Sequence, residues 1–118
     1  MTYLGASLSL AALEALVHTS RFRLLEESYR YFEVDIPDEL VLTLDPAELP
    51  ADWRDAEIPR STQRIGDDWI ASRVSLGLSV PSRVMPQERN CPLNPTHPGH
   101  SHIKITGPFL FEFDERLV

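Results

Sequence analysis

Val74–Ser82 reads VSLGLSVPS. Val74, Leu76, Leu78 and Val80 fall on one side of an extended chain and Ser75, Gly77 and Ser79 on the other, the period-two pattern of a strand. Pro81 has no amide hydrogen for a sheet ladder and marks the strand's end. A strand here organises the sequence around it. Upstream, STQRIGDDWIASR (61–73) places Ile65, Trp69 and Ile70 on one helical face. Downstream, residues 81–98 are crowded with prolines and polar side chains, which predicts a long irregular loop. HIKI (102–105) and FLFEF (109–113) then read as two closing strands, with Phe109, Phe111 and Phe113 facing the core.

The first half alternates in the same way. Ser7 or Ser9 can cap a helix running to about His18, a residue suited to the negative end of the helix dipole. RFRLLEESYRYFEVDI (21–36) is ambiguous, but Phe32, Val34 and Ile36 alternate with Glu33 and Asp35, so its end reads as a strand with one wet face. Pro37-Asp38 makes a turn, LVLTL (40–44) is a further strand, and Asp45-Pro46 has the cap and first-turn chemistry of a short helix. Helices interleaved with strands indicate one α/β or α+β domain with a mixed sheet over residues 1–118.

Eighteen acidic residues against eleven basic ones leave a net charge of −7, which argues against direct contact with nucleic acid or an anionic membrane and favours a basic partner. The single Cys91 cannot form an internal disulfide, as expected in a reducing compartment. No apolar run is long enough to span a membrane, and MTYLG lacks the basic start of a signal peptide. A cytoplasmic location is the expectation.

One carboxylate stands out. In SLSLAALEALVH (7–18), Glu14 shares its helical face with Leu10, Ala11, Val17 and His18, and the rest of the circumference is apolar too. Either it reaches water along a narrow stripe or pairs with an arginine, or it points into a cleft. In a cleft, partial burial would sharpen its effect on a developing cation.

Four blocks occur together: YLGASLSLAALEALVH (3–18), TQRIGDDWIAS (62–72), LSVPSRVMPQERNCPLNPTHP (78–98) and FLFEFDERL (109–117). Their order and approximate spacing resemble the RES-domain family. That resemblance implies a fold like that of the ADP-ribosyltransferases. It also implies the toxin role of a type II toxin–antitoxin pair, with an Xre-like helix-turn-helix antitoxin as partner. The implied activity is destruction of NAD, as substrate, at the nicotinamide–ribose bond. The family's glutamate falls on Glu14, its serine on Ser82 and an active-site tyrosine on Tyr3, while Asn94 and His97 of LNPTHP would border the NAD pocket. Asn94 and the neighbouring prolines could equally serve only to lock their loop.

A single carboxylate suits that chemistry. Nicotinamide carries the positive charge in NAD and leaves neutral, so no general acid is needed, unlike in ordinary glycosidases. The ribosyl oxocarbenium left behind is what a fixed carboxylate stabilises. Ser82 is expected to hydrogen-bond the nicotinamide amide or a ribose hydroxyl. No His-Asp arrangement marks it as a nucleophile. The acceptor of the ribosyl group is left open between water, phosphate and a protein side chain.

The family's arginine lies upstream of the block that begins at Tyr3, so the resemblance is to a domain lacking its N-terminal strands. Arg73, Arg83 and Arg89 are the candidates to hold the substrate phosphates instead. Without such a group, the alternative is a catalytically inactive module that keeps antitoxin binding. An exposed sheet edge would also favour a homo-oligomer. Cys91, His97, His100 and His102 match no standard metal pattern, and no metal is expected. In GDDW (66–69), Trp69 is expected in the core and Asp67 on nearby backbone. The acidic run DPAELPADWRDAE (45–57) reads as a solvated face, or as one that meets a basic antitoxin surface.

Overall fold

A computed structural model describes residues 2–55 and 57–118, with only the backbone of Thr2. Ala56, within the acidic run, lies outside the described residues. Among the described residues, six strands and three α-helices occur in the order β1 (Thr2–Gly5), α1 (Leu8–His18), α2 (Arg21–Glu26), β2 (Tyr29–Asp35), β3 (Val41–Thr43), α3 (Arg60–Ser72), β4 (Gly77–Pro81), β5 (Arg89–Leu93) and β6 (Lys104–Phe111). Short 3-10 turns span Asp38–Leu40, Pro46–Glu48, Pro98–His102 and Glu115–Leu117. Asp45 caps the second of these, accepting from the Ala47 amide at 2.9 Å as its side chain predicts.

The sheet is mixed, as expected for an α+β domain. Its order is β1-β5-β4-β3, with β3 parallel to β4 and the other pairs antiparallel. β2 and β6 form a separate antiparallel ribbon. Leu44, Trp69 and Leu78 are the buried centre of a core to which Leu49, Ile65, Ile70 and Val80 add, so α3 packs its predicted inner face on the larger sheet. Trp69 Nε1 donates to Ser75 Oγ at 2.9 Å, and that hydroxyl donates to the Gly77 carbonyl at 2.8 Å. The indole thus buries its polar atom fully bonded. Asp67 is exposed and its side chain makes no hydrogen bond among the described residues, contrary to the expected backbone contact.

The opening segment needs revision at its start. The strand begins at Gly77, and Val74 is 63% exposed. Arg73 ends α3 in the left-handed conformation (φ 54°), turning the chain so that Val74 points outward. Ser75, Gly77 and Leu78 are all buried, because both faces of the chain are covered where β4 begins; Ser79 and Val80 further along it are half-buried. Gly77 is required by proximity: a Cβ there would lie 2.8 Å from Cys91 Sγ.

Residues 81–98 are not an irregular loop throughout, since β5 lies between β1 and β4. Pro92 is accommodated inside this inner strand because the β4–β5 ladder registers on either side of it, at Gly77–Leu93 and Val80–Asn90. The closing region is one strand, β6, rather than two. Its aromatics pack on the tyrosines of β2: Phe109 stacks on Tyr31 at 5.1 Å and Phe113 meets Tyr29 edge-on at 5.3 Å. Phe113 is buried, but Phe109 stays exposed. Phe32 is exposed as well, because the β2–β6 register shifts between Tyr31 and Glu33 and turns it outward. Among the described residues, no helix is long and apolar enough to cross a membrane.

Candidate functional site

The site starts from α1. Ser7 caps the helix by accepting from the Leu10 amide at 3.1 Å, and alanine and leucine supply high helix propensity behind it. Leu10 is buried, and Glu14, one turn later on the same face, is carried toward the ends of β4 and β5. Its side chain keeps only 26% exposure. No arginine pairs with it among the described residues. Ser82 Oγ and Asn90 Nδ2 each donate to its Oε1 at 2.8 Å. Near Oε2 stands His18 Nε2, at 4.0 Å and on a largely exposed ring.

Ser82 comes directly after Pro81 at the end of β4 and is fully buried. Its backbone amide donates to the Glu88 carbonyl at 2.9 Å, closing the turn that leads into β5. Its hydroxyl oxygen accepts from the amides of Val84 and Met85, both at 3.1 Å. A serine hydroxyl has one proton to give, and here Glu14 takes it. Ser82 therefore orients Glu14. The expected direct hydrogen bond to nicotinamide or ribose is not open to a buried hydroxyl with its proton and acceptor sites engaged.

Asn90 is the residue that sequence reasoning missed. Its signal lay in the alternation of a strand hidden by prolines: in β5, Asn90 and Pro92 face one side, Arg89 and Cys91 the other. Strands on both sides hold it, with Gly5 and Val80 as its register partners. Tyr3 is opposite Pro92, on the same face as Asn90 and a diagonal neighbour within about 7–8 Å by ordinary sheet geometry. Tyr3 belongs to the edge strand and is 70% exposed.

An open cleft of about 990 Å³ lies between the larger sheet and the ribbon. The sheet contributes Tyr3, Arg89 and Asn90 to its lining, and the ribbon contributes Arg30, Tyr31 and Glu33. Glu14 is not itself in the lining, and its connection to the cleft runs through Asn90. The volume is in the range that holds a dinucleotide-sized ligand. A second cavity of about 110 Å³, between α1 and the ribbon, is apolar and too small for one.

Of the three candidate arginines, only Arg89 reaches the cleft. Its Nη1 donates to the carbonyls of Leu44 at 3.2 Å and Ser79 at 3.1 Å, which fixes the guanidinium on the sheet. Arg73 is exposed at the end of α3, and Arg83 lies in the Ser82–Glu88 turn, where its carbonyl accepts from Arg54 Nε at 3.1 Å. Arg30, which the sequence did not suggest, adds a second cation to the cleft wall.

Asn94 and His97 lie elsewhere. Asn94 is fully buried at the far end of β5, where Nδ2 donates to the Ile70 carbonyl and Oδ1 accepts from the amide and hydroxyl of Thr96. His97 Nδ1 accepts from the Gly99 amide at 2.9 Å. Neither lines the cleft or touches Glu14: Asn94 ties the loop to α3, and His97 caps the 3-10 turn that follows it. Cys91 does line the cleft, and burial raises its pKa, with a weaker opposing effect from the Leu78 backbone. Among the described residues, no group of three or more His, Cys, Asp or Glu side chains could hold a metal ion.

Sequence comparison adds to this geometry. The family model for the RES domain matches residues 1–114. A protein named Toxin Res from Yersinia enterocolitica is 40% identical over 116 residues, covering 98% of this chain and 76% of that protein. A Toxin Res from Photorhabdus laumondii is 39% identical over 118 residues, covering 98% and 74%. A Prs ADP-ribosylating toxin from a Sphingobium species is 31% identical over 121 residues, covering 100% and 74%.

Proposed function

From the premise that this chain belongs to the RES-domain family, we propose that it is a toxin whose substrate is NAD, cleaved at the nicotinamide–ribose bond. The observation that carries this reading is the asymmetric seating of Glu14. Two donors hold Oε1, while no donor of the described residues lies within hydrogen-bonding distance of Oε2. A carboxylate fixed by one oxygen can present the other to a cation without reorganising.

In the proposed step, the C–N bond between ribose and nicotinamide breaks and its electron pair leaves with the nicotinamide nitrogen, which becomes neutral. The positive charge passes to the ribosyl carbon and ring oxygen. Glu14 Oε2 faces that charge, which exists only near the transition state, so the interaction lowers the barrier rather than merely tightening binding. Removal of a fixed group of this kind costs about 2.7–4 kcal/mol. Water, phosphate or a protein side chain then supplies the electron pair that captures the ribosyl group, the alternatives being glycohydrolase, phosphorylase and ADP-ribosyltransferase activity. Arg89 and Arg30 are the cations placed to meet the substrate's phosphates.

As a toxin of a type II pair, the chain would be neutralised in the cytoplasm by an Xre-like helix-turn-helix antitoxin. Its net charge of −7 supports a basic surface on that partner. Self-association through the outer edge of β1 is a further expectation. Expression of the chain should deplete cellular NAD and arrest growth, and co-expression of the antitoxin should restore both. Growth arrest with NAD at its normal level would overturn the substrate assignment.

A second reading, that the chain binds its antitoxin without turning over NAD, draws on one observation. Arg89 Nη1 is already occupied by two backbone carbonyls, and Arg73 and Arg83 are outside the cleft. NAD cleavage by the purified chain excludes this reading.

A further inference from the structure

We propose that Asn90 is a positioning residue of the NAD site: its amide nitrogen fixes Glu14, and its amide oxygen receives a hydroxyl of the substrate ribose. The inference rests on the NAD-consuming reading and deepens it by adding a residue that couples carboxylate to substrate.

The chemistry of the contact sets the orientation of the side chain. An ionised carboxylate offers only acceptors, so the amide must present Nδ2 to Glu14 Oε1, as it does at 2.8 Å. The amide oxygen is then turned away from Glu14, and it takes no hydrogen bond from the described residues. An unfilled acceptor on a half-buried amide is a place for a donor from outside. Asn90 also lines the 990 Å³ cleft, where a ribose would supply such a donor. Ser82 and Asn94 differ on this point, because their polar side-chain atoms are engaged within the fold.

The backbone gives the residue the rigidity this role needs. Asn90 is flanked by Gly5 on β1 and Val80 on β4, so its Cα is fixed from both sides. The same amide that holds the carboxylate therefore sets the distance between Glu14 and any sugar bound against it. A strand-borne group of this kind positions more tightly than one on a loop.

The test uses the full chain with two near-isosteric variants, with NAD turnover and thermal unfolding measured on each. Asn90→Asp keeps an acceptor toward the cleft but removes the donor to Glu14. Its kcat is expected to fall about 10- to 100-fold, with KM for NAD near the wild-type value. Asn90→Leu removes both atoms while keeping the volume, and its kcat should fall as far with KM also rising. A purely structural role would lower activity only in proportion to the folded fraction and leave KM unchanged in both. That outcome, or wild-type kcat in both variants, overturns the proposal. A folded wild-type chain that does not cleave NAD overturns the NAD reading, and the proposal with it. Cleavage that Glu14→Gln abolishes but neither Asn90 variant slows overturns the proposal alone.

Discussion

Ser82 Oγ stands 2.8 Å from Glu14 Oε1 across 68 residues of sequence, joining the end of β4 to the middle of α1. The bond is directional. Two backbone amides donate into the serine oxygen, and the serine proton is passed to the carboxylate, so the turn after β4 determines where Glu14 points.

Ser82→Ala should therefore act on both stability and rate. It leaves the Val84 and Met85 amides without their acceptor and takes one of two donors from Glu14 Oε1. The expected cost is about 1–3 kcal/mol of folding stability, read by denaturant unfolding. NAD turnover should drop by about tenfold or more with folded protein still present.

Gly77→Ala should destabilise the sheet by about 1–3 kcal/mol, because the new methyl group would lie 2.8 Å from Cys91 Sγ. Cys91→Ala removes that sulfur. In a double-mutant cycle, the pair should cost clearly less than the sum of the two single changes. Strict additivity would show that the close approach of β4 to β5 is not what requires glycine.

Cys91 also gives the fold a dependence on pH. Its thiol, ordinarily at 9.0, is pushed up by burial in the folded chain. A group whose folded pKa is raised contributes stability that is complete below the unfolded value and is lost as pH climbs through the folded one. Stability should decline above about pH 9 more steeply in the wild type than in Cys91→Ala. Equal slopes would place the thiol in water in the native state.

Trp69→Ala should cost about 3–5 kcal/mol, since it empties the centre of the core and leaves Ser75 without its indole donor. Asp67→Ala, two residues away on the exposed side of α3, should stay within about 0.5 kcal/mol of wild type. Comparable losses at the two positions would contradict the assignment of faces on α3.

The elements legible in the sequence are those whose signals are local. Ser7 and Asp45 cap the helical turns that begin beside them, and Ile65, Trp69 and Ile70 mark the buried face of α3, because each pattern is complete within a few residues. The family resemblance points to Glu14 and Ser82 separately, and the structure brings them into contact. β5 was hidden because Pro92 counts against a strand, and nothing local shows that the ladder skips it. Asn90 was lost with β5. The outward turn of Phe32 is not legible for a similar reason, since a bulge depends on the partner strand and leaves no mark on the bulged one. Asn94 and His97 carry a motif whose hydrogen bonds run within the loop and from Asn94 to α3.

The central claim concerns Glu14 and is tested by the rate at which purified wild-type and Glu14→Gln chains release nicotinamide from NAD. Glutamine is nearly isosteric and can keep its amide oxygen on Ser82 and Asn90, but it brings no charge to the ribosyl cation. The wild type should release nicotinamide, and Glu14→Gln should be slower by about 10²–10³-fold with its unfolding midpoint little changed. Release at the wild-type rate by a folded Glu14→Gln chain would contradict the role given to this carboxylate.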